Sequence, residues 1–175
     1  MKTTIPPFRL LGLIALVLAG LAFSAATSSA HQGKQRLVVR GDATIVDGPC
    51  GPGGCPLEIA DGEFRGTIGA GDYRGAMKLR VAEAFPNGEG GVCAPIDGTI
   101  VLGAGTPNRL VLSVDGESCQ DGAGPVTAAS FTGLAHWEVR YGTGTYDDAR
   151  GRGLASFAED AADHDRMTLI GRISR

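Results

Sequence analysis

The sequence predicts an all-β chain, about eight short strands folded into one antiparallel sandwich or barrel. Three observations carry that expectation. Apolar and polar residues alternate with a period of two over several segments, as half-buried strands do. Met77, Leu79 and Val81 alternate with Lys78, Arg80 and Ala82; Phe131, Gly133, Ala135, Trp137, Val139 and Tyr141 alternate with Thr132, Leu134, His136, Glu138 and Arg140. The 28 glycines recur at short intervals, which suits turns and strand kinks better than long helices. No stretch carries the 3.6-residue period of an amphipathic helix.

Residues 1–30 read as a cleaved secretory signal peptide. Lys2 and Arg9 give a basic start, Leu10 to Phe23 an apolar run, and Ser28-Ser29-Ala30 a small-residue cleavage site. The run is shorter than the ~20 residues of a membrane span, so none is expected once it is removed. Residues 31–175 then form a single domain that is secreted or periplasmic, with a formal charge of −5 in place of −3. Charges of both signs are scattered, with no basic block, which argues against nucleic acid as a partner. The strands follow in order at 36–46, 62–68, 73–85, 97–102, 109–114, 130–141, 154–159 and 166–174, separated by glycine-rich turns such as 86–91.

Cys50, Cys55, Cys93 and Cys119 make an even set in an exported chain, which favours disulfides. The midpoint of 93 and 119 falls in Gly103–Asn108, a turn between two strand-like runs, so these two cysteines should face each other across a hairpin. Cys50 and Cys55 bracket Gly-Pro-Gly-Gly, a tip that would close a small ring. The expected pairs are therefore 50–55 and 93–119, the longer loop contributing roughly 3 kcal/mol by chain entropy. One C-x4-C and two distant cysteines do not match the paired spacing of a zinc site.

Known catalytic grammars are missing. Gly142 and Gly144 are followed by Asp147, not by the third glycine of a dinucleotide loop, and no P-loop or G-x-S-x-G string occurs. Asp160, Asp163, His164 and Asp165 cluster without the spacing of a calcium loop and read as a solvated turn. His136, Glu138 and Arg140 form a row that either lines a polar cavity or faces water. Cleavage after Ala30 would expose His31 as an amino-terminal copper ligand, with His136 or His164 completing the brace; no other copper motif accompanies it.

Gly69-Ala-Gly71-Asp-Tyr73-Arg-Gly-Ala76 echoes Gly142-Thr-Gly144-Thr-Tyr146-Asp-Asp-Ala149, each after an F-x-G at 64–66 or 131–133. The repeat reads as a reused corner, with glycines turning the chain and Tyr146 and Ala149 packing beneath it. The longer string from Gly142 through Tyr146, Ala149 and Gly151 to Gly153 resembles the turn motif of the allene oxide cyclase and dirigent-like barrel family. That resemblance covers some twenty residues of turn. It implies a single antiparallel β-barrel of about eight strands, a cavity for a hydrophobic small molecule, frequent homo-oligomers, and no metal or redox cofactor. No residue of this chain matches a catalytic position of the family.

Function is thus expected to be non-catalytic binding of a hydrophobic small molecule or a partner surface. Trp137, Glu138, Arg140, Arg150 and Arg152 are the candidate ligand contacts, the last two pointing to one face of their strand. The alternative is a cofactor-free isomerase or cyclase, with Glu138 or Asp72 as buried acid and Arg140 or Arg74 as the polarising cation. It requires titratable groups pointing into an interior pocket.

Overall fold

The computed structural model describes residues 33–47, 57–120, 130–160 and 162–175. Among these residues nine antiparallel strands run in chain order: β1 (Gln35–Asp47), β2 (Leu57–Gly66), β3 (Gly69–Leu79), β4 (Phe85–Pro86), β5 (Val92–Leu102), β6 (Leu110–Gln120), β7 (Phe131–Gly142), β8 (Arg150–Glu159) and β9 (His164–Ser174). Each pairs with its sequence neighbour except at two joins. β1 pairs with β9, and β3 pairs with β5, so eight strands close on themselves while β4 lies outside against the start of β5. The molecule is therefore a closed eight-stranded barrel, which leaves no long sheet edge exposed. No helix among the described residues is long and apolar enough to cross a membrane.

Alternation decides which side chains enter. On β1, Leu37 and Val39 point inward and Arg36, Val38 and Arg40 outward; on β9, Met167, Leu169 and Ile173 point inward and Arg166, Ile170 and Arg172 outward. The interior of an eight-stranded barrel is just wide enough for side chains to fill it. Leu37, Ile100, Leu102, Leu110, Leu112, Leu169 and Ile173 do so over much of its length. Trp137 also belongs to this core, only 1% exposed, with its Nε1 donating to the Leu154 carbonyl at 3.0 Å. The indole lies over Gly153 and Gly171, register partners on β8 and β9; a Cβ at either would run into the ring.

Cys93 and Cys119 are register partners on β5 and β6 and form a disulfide, as the hairpin arithmetic predicts. The expected 50–55 bond lies outside the described residues, as do His31 and the signal peptide. Three sequence expectations need correction. The third strand stops at Leu79, and a 3-10 turn at Val81–Glu83 leaves Val81 exposed. Tyr141 is 55% exposed, because a bulge opposite Val111/Leu112 adds a residue to β7 and reverses the alternation after Val139.

The third correction concerns the repeated glycine motif, whose copies are not one corner used twice. Residues 69–76 run along β3, whereas Gly144 (φ 61°) to Tyr146 form a 3-10 turn. Tyr146 and Ala149 are buried as expected, but Gly151 and Gly153 lie within β8. The second copy reaches the residue before the first: the Tyr146 hydroxyl donates to the Ile68 carbonyl at 3.2 Å and ties the 144–146 turn to the β2–β3 turn at that end of the barrel.

Candidate functional site

The other end is different. There the apolar filling stops short and leaves an interior cavity of about 40 Å³. Its walls include Met77, Ile96, Ile100, Phe131, Phe157 and Met167, so five strands contribute, and its rim is set by Ile45, Glu58 and Glu159. The strand ends flanking residues 48–56 and 121–129 meet at this rim. A single water needs ~10–15 Å³ of such space, whereas benzene occupies cavities of ~150 Å³. The enclosed part therefore accepts a functional group, and any larger body must extend towards the rim.

Two polar side chains meet inside. Tyr73, from β3, is 2% exposed and crosses the interior to Asp165, from β9, which is 6% exposed. The phenol donates to Asp165 Oδ2 at 3.3 Å. Gly41 on β1 makes the crossing possible, since a Cβ there would stand 2.7 Å from the Tyr73 ring. Burial pushes the Asp165 carboxyl up to about 6, well above its ordinary 3.8. The phenol and the Ala158 backbone N–H, by bonding the charged form, oppose the rise, and the Asp42 charge adds to it. Burial, followed by the Asp165 charge, raises the Tyr73 phenol far above its ordinary value, so it stays a donor across the whole working pH range. The pair is thus a carboxyl that titrates near neutrality beside a permanent hydroxyl donor. It can bond either a donor or an acceptor, and hold or release one proton.

The residues singled out from the sequence lie elsewhere. Trp137 is core and does not line this cavity; its position on β7 borders, with Glu138 and Arg152, a separate outer groove. Glu138, Arg140, Arg150 and Arg152 all face outward and do not reach the interior, because their parity along β7 and β8 is opposite to that of Trp137 and Ala155. His136 faces outward with them. Asp72 and Arg74 are also exposed, and Arg74 pairs with Asp61 at 2.6 Å.

The acidic turn divides. Asp160 accepts from the backbone of Ala162 and His164, bonds that hold its carboxyl below the ordinary range, while Asp163 adopts φ 60°. Only Asp165 turns inward. Among the described residues, no group of three or more His, Cys, Asp or Glu is placed to hold a metal ion. The signal missed in the sequence was parity: Asp165 shares a strand face with Met167, Leu169 and Ile173, as Tyr73 does with Met77 and Leu79.

Comparison with known proteins finds no family model, no curated protein and no solved structure that matches the chain.

Proposed function

We propose that this protein is an exported barrel of the allene oxide cyclase and dirigent-like kind that binds a small molecule by its polar head. The head enters the cavity and meets Asp165 and Tyr73; the apolar body lies against Phe131, Phe157 and Met77 towards the rim. One observation carries the reading. In a barrel otherwise filled by side chains, the space left open is apolar-walled and converges on a buried titratable pair, the pattern of a binding site. Above about pH 6 the carboxylate favours a cationic or donor head such as an amine. Calorimetric titration with straight-chain alkylamines tests this. Affinity should grow with chain length and with pH from about 5 to about 8, and vanish in Asp165→Asn. Equal binding by Asp165→Asn would refute it.

The Asp165 carboxyl near 6 also favours a second reading, a cofactor-free isomerase. Asp165 would take a proton from the carbon beside a carbonyl while the Tyr73 hydroxyl donates to that carbonyl oxygen, and the proton would return at a neighbouring carbon. Deuterium uptake from D2O into a small cyclic ketone, abolished in Asp165→Asn and Tyr73→Phe, would support it; uptake no faster than in buffer would exclude it for that substrate class.

A further inference from the structure

The outer wall carries a second feature, independent of the cavity. Register places Leu154 on β8, Ile170 on β9 and Val38 on β1 side by side in one outward row. Leu154 is 57% and Ile170 48% exposed, and Leu134 of β7, 68% exposed, stands one row away. This apolar strip is bordered on both sides by arginines. Arg152, Arg172 and Arg36 form the next row on one side, neighbours across β8, β9 and β1 at the ~4.8 Å strand spacing. Arg40 and Arg65 are register partners on the other side. None of these five arginines forms an ion pair with a described residue, and Glu138, opposite Arg152, does not close to within 4 Å of it. Like charges directly opposite each other weaken a ladder. An unneutralised arginine row beside exposed leucine and isoleucine is therefore a cost to the folded chain that an anionic, partly apolar partner would relieve.

We propose that the face of β8, β9 and β1 docks the barrel on an anionic lipid surface, Arg152, Arg172 and Arg36 meeting headgroup phosphates and Leu154 and Ile170 entering the headgroup–acyl boundary. Charge and apolar residues together select this occupant. A soluble polyanion would use the arginines and leave Leu154 and Ile170 in water. A second copy packed face to face would set arginine row near arginine row.

The test is co-sedimentation of the exported, processed protein with vesicles of equal parts phosphatidylglycerol and phosphatidylcholine, against phosphatidylcholine alone. Binding is expected only to the anionic vesicles, and it should fall as salt rises from about 0.1 to about 1 M, which shortens the screening length from ~10 to ~3 Å. Replacing Arg152 and Arg172 with glutamine should weaken binding roughly 25-fold, about fivefold for each charge. Leu154→Ser and Ile170→Ser should each weaken it roughly tenfold. R152K/R172K should retain binding, which separates lost charge from a damaged fold, and all variants are checked for an unchanged unfolding temperature. Absence of binding, or equal binding to neutral vesicles, would overturn the proposal. So would binding to dextran sulfate that matches vesicle binding and ignores the serine variants, or a dimer of the protein alone that Leu154→Ser dissociates.

Discussion

Replacing Asp165 with asparagine should change how stability depends on pH. In the fold the carboxyl is pushed from 3.8 to about 6, chiefly by burial. Between those values the folded chain holds a proton that the unfolded chain has released, so stability falls as pH rises through the window and the loss is complete above about 6. The gap, at 1.36 kcal/mol for each pH unit, amounts to about 3 kcal/mol. Asparagine keeps the shape and can still accept the Tyr73 hydrogen bond, but it does not titrate. The difference in unfolding free energy should therefore move in favour of Asp165→Asn by about 3 kcal/mol between pH ~3 and ~8. In a domain of this size that is on the order of 10 °C in Tm. Thermal unfolding of both proteins, followed by Trp137 fluorescence at one-unit pH intervals, measures it. A constant offset between the two curves would refute the reasoning, since it would mean that Asp165 titrates alike in the folded and unfolded chains.

Four further outcomes follow from the same contacts. Tyr73→Phe removes a bond that lowers the Asp165 carboxyl, so its titration midpoint, read by carboxyl-carbon NMR, should rise above about 6. Gly171→Ala drives a methyl into the Trp137 ring and should cost roughly 1–3 kcal/mol in denaturant unfolding, with a shifted indole emission. Cys93→Ser with Cys119→Ser opens a loop of sequence separation 26 and should lose about 3 kcal/mol by the same assay. Tyr146→Phe unties the 144–146 turn from the Ile68 carbonyl and should cost about 1 kcal/mol.

Much of the barrel was legible because strand alternation is a local property. The inward parity of Met77, Leu79, Ala135 and Trp137, and the opposition of Cys93 and Cys119 about a turn, needed nothing beyond the chain itself. The failures have non-local causes. Tyr141 turned outward because of a bulge created against β6, which no pattern within β7 records. The two glycine motifs share letters but not conformation, since Tyr73 continues a strand and Tyr146 sits in a turn.

The candidate site was harder still. Arginines and a tryptophan drew notice by residue type, yet Trp137 is filling and the arginines are outside. Asp165 looked like one more acid in a polar turn. Its parity with Met167 and Leu169 was present in the sequence, but its partner lies 92 residues away on β3, and only barrel closure brings the two together. The same closure assembles the outer arginine row from residues near both ends of the chain.

The central claim, that the open end of the barrel receives a ligand head at Asp165, has a direct reporter. The chain has three methionines; Met1 leaves with the expected signal peptide, and Met77 and Met167 both line the cavity. Carbon-13 methyl NMR of the processed protein should therefore show two resonances. On titration with octylamine at pH ~8, where the carboxyl is ionised, both should shift and saturate together, and Asp165→Asn should abolish the response. Methyl signals that stay still throughout the titration, or that move equally in Asp165→Asn, would contradict the account.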